Sequence, residues 1–150
     1  MLNLDTMRAI GMLVARQARE KAALDTTTAN EVIDMTALLE PWKAGTMESP
    51  VEYPQDAVRT HSGAPWRCTM AHTHHGETGW APGEGNAMWT QKHGTDRAHA
   101  LPWVTPTGAH DAYMAGEWMI YTDGLAYRCM QDNTVHAPDV LPSAWGAGER

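Results

Sequence analysis

One arrangement of residues occurs twice in this chain, and any architecture proposed for it must accommodate the duplication. In each copy a Gly precedes a Cys by five positions, with an aromatic-Arg pair directly before the Cys: Gly63, Trp66-Arg67 and Cys68, then Gly124, Tyr127-Arg128 and Cys129. Upstream, each copy opens on Pro-Trp and continues to a Tyr (Pro41-Trp42 and Tyr53; Pro102-Trp103 and Tyr113). Downstream, a Thr stands five residues past each Cys (Thr73, Thr134), and an Ala-Pro leads after seven residues to a Trp (Ala81-Pro82 to Trp89; Ala137-Pro138 to Trp145). A repeat of about fifty residues divides the 150-residue chain into a leading segment, 1–40, a first module, 41–91, a linker, 92–101, and a second module, 102–150.

Modules this small bury little apolar area and usually rely on a metal, on disulfides or on very large side chains. Seven Trp and no Phe point to the third device, since each packed indole buries on the order of 200 Å². The two Cys hold equivalent places, so a disulfide would have to join the modules to each other, and a buried thiol in each is the expected state. A net charge of -7 argues against a phosphate-binding surface, and no nucleic-acid partner is expected. The apolar run near Ile10–Val14 is too short for a secretory leader or a membrane span and is followed by Arg16, so neither a signal peptide nor membrane insertion is expected.

The first forty residues contain no Trp, Pro or Tyr and read as helical. Leu4, Met7, Ile10, Val14 and Ala18 recur at three- and four-residue spacings, Leu13 widens the stripe, and Arg8, Arg16, Arg19, Glu20 and Lys21 surround it. Asn3 or Asp5 suits the cap. Asp25-Thr26-Thr27-Thr28 breaks the pattern ahead of a second helix over 29–40, with Val32, Met35 and Leu39 as its stripe and Pro41 as its stop. Two short helices cannot satisfy each other's apolar faces, which leaves the first stripe to meet copies of itself, another protein, or the chain's own β modules.

Residues 46–56 read as loop, 57–61 as a strand, His61-Ser62-Gly63 as a turn and 64–70 as a return strand that Pro65 places at an edge. In the second copy 117–122 and 125–131 read as strands joined by Asp123-Gly124, a strong hairpin signal. Alternation puts Trp118 and Ile120 on one face, Met119 and Tyr121 on the other, with short third strands expected near Trp89 and Trp145. The expected class is therefore α+β: an N-terminal helical segment followed by two small antiparallel three-stranded β modules.

The run Trp66-Arg67-Cys68, His72-Thr73, Gly79-Trp80-Ala81-Pro82 and Trp89, with Tyr127-Arg128-Cys129 in the second copy, resembles the chitin-binding type 3 modules, carbohydrate-binding module families five and twelve. Where such modules usually carry Tyr-x-x-Gly-Asp, the first copy has Tyr53-Pro54-Gln55-Asp56. The segment from Pro102-Trp103-Val104-Thr105-Pro106 through Tyr113, leading to Asp132-Asn133-Thr134-Val135, is similar to the C-terminal module of small bacteriophage and prophage virion proteins that carry two such modules behind a helical N-terminus. The resemblance implies no catalytic activity, no cofactor, and sugar contact through exposed rings. The Trp of Gly-Trp-x-Pro maps onto Trp80, and the matching place in the second copy holds His136.

An exposed indole covers the weakly apolar C–H face of a pyranose while polar neighbours bind its hydroxyls. With Trp80, the candidate contacts are Trp66, His72, Tyr113, Trp118, Tyr127 and His136. Strand aromatics also pack inward, and Trp42, Trp89, Trp103 and Trp145 read as core. His72-Thr73-His74-His75, with His61 across the hairpin, has ligand-like spacing, but its only nearby acid is Glu77 and no metal is expected. No hydrolase, zincin or P-loop motif occurs, and Glu77 and Glu84 lack enough chain to enclose a glycosidase cleft. These readings together predict a non-catalytic bacteriophage virion component, tail, fibre or decoration, that assembles in the host cytoplasm. Its stem meets other virion proteins or copies of itself, a trimer among them, and its modules meet bacterial surface glycan. The rival is a purely structural decoration or assembly protein that binds no sugar.

Overall fold

The structure, a computed structural model, describes residues 2–150 and is α+β. The first helix, α1 (Leu4–Ala22), starts where the Asn3 side chain accepts the Thr6 N–H at 2.8 Å. It ends with Arg19 and Lys21 against the negative pole of its dipole. Of its apolar stripe only Ala18 and Ala22 are buried, whereas Leu4, Met7, Ile10, Leu13 and Val14 stay exposed. A reciprocal capping box, Thr28 with Glu31, opens α2 (Ala29–Asp34). This helix is shorter than the expected 29–40, because the chain tightens into a 3-10 turn at Thr36–Leu38. Ala22, Val32 and Leu39 pack with Val58, so the end of α1 and all of α2 are fastened to the first module.

That module contains β1 (Val51–Tyr53), β2 (Val58–His61), β3 (Ala64–Cys68), β4 (His72–His74) and β5 (Trp89–Gln91). Part of the expected 46–56 loop is thus a strand, and β1 pairs antiparallel with β4. The other sheet runs β2-β3-β5, all antiparallel, which makes β3 its centre and corrects the edge position expected from Pro65. Pro65 is tolerated there because it lies one residue past the end of the β3–β5 ladder, where its carbonyl still accepts the Lys92 N–H at 3.2 Å.

The second module holds β6 (Leu101–Pro102), β7 (Trp118–Ile120) and β8 (Ala126–Arg128). Here β6 runs parallel to β7, so the sheet is mixed rather than wholly antiparallel, and the third strand expected at Trp145 is reduced to a single bridge to Cys129. The hairpin between β7 and β8 closes through Tyr121 N–H to the Leu125 carbonyl at 2.9 Å. The connection is therefore the three residues Thr122-Asp123-Gly124, with Gly124 at φ 80°, rather than the two-residue turn that Asp123-Gly124 suggests.

The duplication is physical as well as sequential. Trp42 N–H donates to the Thr60 carbonyl and Trp103 N–H to that of Ile120, both at 2.8 Å. Asp56 N–H reaches the Cys68 carbonyl and Gly116 N–H that of Cys129, again both at 2.8 Å. Cys68 N–H donates to Ala57 and Cys129 N–H to Glu117, both at 2.7 Å. Asp56 therefore occupies the place of Gly116, and it adopts the same left-handed backbone, φ 72° against 94°. One equivalence moves: Tyr53 pairs with His72 while Tyr113 bridges Thr134, so Thr134 matches His72 in space and not Thr73. The additional residue between Cys129 and Thr134 is absorbed next to Asn133, at φ 59°.

Each module has its own core, Tyr53, Ala57, Trp66, Cys68 and Trp89 in the first, and Tyr113, Met119, Cys129, Ala144 and Trp145 in the second. Both thiols are free and buried. The connection at 92–101 is not a free tether. His93 stacks on Tyr113 with ring centroids 3.7 Å apart and donates from Nδ1 to the Glu117 carboxylate, and the Gly94 carbonyl accepts from Trp118 N–H. A Cβ at Gly94 would lie 2.1 Å from the His99 carbonyl, so only glycine permits this chain path. Asn30 binds Thr95 and Asp96, His99 bridges Asp34 and Asp96, and Val104 packs on the first core.

Candidate functional site

The sequence-derived ring candidates separate by burial. Trp66, 5% exposed, packs in the first core with its indole N–H on the His61 carbonyl, and Gly83 lies against its ring, where an added Cβ would come within 3.4 Å. Tyr113, 1% exposed, is clasped between the rings of His93 and Trp103, and burial pushes its phenol pKa well up. Neither ring is available to a ligand, which corrects both expectations. Trp118 is half-buried beside the Arg97–His99 turn, on the sheet face opposite buried Met119.

Trp80 is half-buried, its ring meeting those of His72 at 6.0 Å and His74 at 6.2 Å, both edge-on. The two imidazoles are held in turn. His72 Nδ1 is bound to the Met70 carbonyl, and His74 accepts from Gly45 N–H through Nδ1 while Nε2 meets the Glu77 carbonyl. His72 also flanks an open recess of about 450 Å³ lined by Glu52, Tyr53, Pro54, Ala71 and Thr73. The first module thus offers a partly exposed indole on a rigid histidine base. Among the described residues no group of three or more His, Cys, Asp or Glu is arranged to hold a metal.

The second module presents a different surface. Its counterpart of Trp80, His136, is exposed, and the His136 carbonyl anchors the Trp145 indole N–H at 2.9 Å. Beside it lies a groove of about 230 Å³ whose walls include Tyr121, Tyr127, Trp145, Pro138, Pro142, Asp123 and Asp139, with Ala147 and Gly148 along one rim. Tyr127 holds the place in the second module that Trp66 holds in the first, two residues before the Cys. The ring there is enclosed in the first module and opens onto the groove in the second. Tyr121 and Tyr127 stand at 90° with centroids 6.2 Å apart.

Tyr127 donates its O–H to Asp123 Oδ2 at 2.6 Å, and Asp123 Oδ1 accepts the Leu125 N–H, so one carboxylate ties the ring to the hairpin turn. These bonds hold the Asp123 carboxyl below the usual range and push the Tyr127 phenol up. Hydrogen bonding to Asp139 raises the Tyr121 phenol in the same way. Sequence reasoning singled out Tyr127 but missed Tyr121, Asp123 and Asp139. The only signal was their spacing around the turn, which does not reveal that 138–148 folds back beside it.

No family model matches the chain, and no curated protein matches it.

Proposed function

We propose that this chain is a non-catalytic bacteriophage virion protein, a tail, fibre or decoration component, that holds bacterial surface glycan on its β modules and is fastened through α1 to copies of itself or to other virion proteins. The observation that carries the binding reading is the groove lined by the partly exposed rings of Tyr121 and Tyr127 beside the carboxylates of Asp123 and Asp139. That combination suits a pyranose, whose C–H face packs on a ring while its hydroxyls donate to acceptors. Trp80 adds a second, separate contact on the first module, and weak subsites of this kind gain retention when many copies sit on one particle. The Asp123 carboxylate is engaged by the Tyr127 phenol and the Leu125 N–H, which suits recognition rather than acid–base work. The resemblance to chitin-binding type 3 modules supports the same reading. No helix among the described residues is long and apolar enough to cross a membrane, and the exposed face of α1 is left for a protein partner.

The test is retention of the full chain on a glycan array and on host cells, with Trp80→Ala and Tyr127→Ala as variants. Loss of retention in either variant, with the melting temperature kept, supports binding. The competing architectural reading draws on the burial of Trp66, Trp89, Tyr113 and Trp145, which leaves few rings free. It gains if wild type and both variants bind no glycan at all.

A further inference from the structure

The groove on the second module carries a polarity that discriminates among glycans. Its lining contains two carboxylates, Asp123 and Asp139, and no Lys, Arg or His. Tyr127 gives its phenol proton to Asp123, and Tyr121 and Asp139 line the same groove. These four side chains therefore present mostly acceptors: carboxylate lone pairs, phenol lone pairs, and two electron-rich rings set at a right angle. Such a corner is poor in side-chain donors for the carbonyl of an acylated amine. It is matched by a group that brings N–H donors and positive charge together, because a cation within about 6 Å of a ring face is attracted to it and the carboxylates add an ion pair.

At about 230 Å³ the groove is smaller than the roughly 300–1,000 Å³ pockets that enclose whole small molecules, so it is a subsite for one ring of a longer ligand. The flat apolar surfaces of Pro138 and Pro142 on the same wall suit the C–H face of that ring better than a flexible side chain. We infer that the groove formed by Tyr121, Tyr127, Asp123 and Asp139 binds an ammonium-bearing saccharide, a hexosamine unit whose nitrogen is free rather than acylated. This rests on the glycan-binding reading and narrows it. The property belongs to the second module alone, since the first encloses Trp66 at the equivalent place.

The experiment is a calorimetric titration of the full chain with two oligosaccharides of equal length, one of N-acetylglucosamine and one of glucosamine, at low salt and mildly acid pH, where the sugar amine is protonated and aspartates are ionised, with a lysine tripeptide as the charge-matched control. Asp139→Asn is the informative variant, because Asp139 is exposed and, unlike Asp123, is not bonded to the hairpin backbone. The glucosamine oligomer is expected to bind about tenfold tighter than its acetylated counterpart, the scale of one exposed cation–ring contact plus one exposed ion pair. Asp139→Asn removes several-fold of that preference, and added salt reduces it. Equal or tighter binding of the acetylated oligomer, an unchanged preference in Asp139→Asn, or equally tight binding of the peptide overturns the inference while leaving glycan binding intact. Binding of neither sugar removes the glycan reading of this groove and the inference with it.

Discussion

Replacing Ile10 and Val14 of α1 by Asp should abolish the self-association expected of its exposed apolar stripe. Leu4, Met7, Ile10, Leu13 and Val14 are each between 45% and 61% exposed. Together they expose the equivalent of about two and a half whole side chains, which is worth roughly 4–8 kcal/mol per helix at about 1.5–3 kcal/mol for each side chain fully buried. Association costs an estimated 4–15 kcal/mol in lost rigid-body freedom, so the balance is close and self-association is expected to be weak, roughly in the millimolar range. At 100° per residue the stripe from Leu13 round to Leu4 spans about half the helix circumference, wider than the seam of a two-stranded coil, and it suits three helices better than two. The charges of α1 do not oppose this, since Arg8 pairs with Asp5, Arg16 with Glu20 and Arg19 with Glu40 inside the chain.

Two aspartates in that seam would be buried without partners, a cost that exceeds the whole gain. Sedimentation velocity over a concentration series should show wild type moving from monomer toward trimer and the double variant staying monomeric. Helix content of wild type by circular dichroism should rise over the same series, because a free helix end of this length is marginal in water. A wild type that remains monomeric at millimolar concentration, or a double variant that associates equally well, would refute the reasoning.

Three further outcomes follow from named contacts. Asp56→Ala should be less stable than Asp56→Gly by about 1 kcal/mol in urea denaturation: both lose the ion pair to Arg67, but only alanine keeps a Cβ at φ 72°. Met119→Ala, which empties a fully buried site in the second core, should cost about 2–5 kcal/mol in the same assay. The bridge of His99 to Asp96 and Asp34 raises the imidazole pKa and lowers that of Asp96. The His99 contribution to stability is therefore complete below its ordinary value near 6.5 and lost as pH rises through the raised one, whereas the Asp96 part is lost as pH falls through the depressed carboxyl value. Melting temperature should fall from mildly acid to alkaline pH in wild type, and His99→Gln should flatten that slope.

Much of this architecture was legible without coordinates because its determinants are local. The stripe of α1, the Thr28 cap, and the matched Cys, Trp and Pro-Trp positions all act through fixed offsets along the chain, and they yield one exposed helix and two similar cores. The α+β class followed from those offsets. Whether a given aromatic ring faced inward did not, because alternation along a strand assigns faces without saying which face is covered. Trp66 and Tyr127 occupy equivalent positions and each lies against a glycine, Gly83 and Gly148, yet Trp66 is buried while Tyr127 stays partly exposed on a groove, and that difference is made by how residues 81–85 and 138–148 return over the sheet. The repeat was thus a property of the sequence alone. The pairing of Tyr53 with His72 and of Tyr113 with Thr134, the burial of Tyr113 between His93 and Trp103, and the placing of Tyr121 and Asp139 on one groove were decided by the tertiary structure, since each depends on a contact whose partner is chosen by packing rather than by spacing.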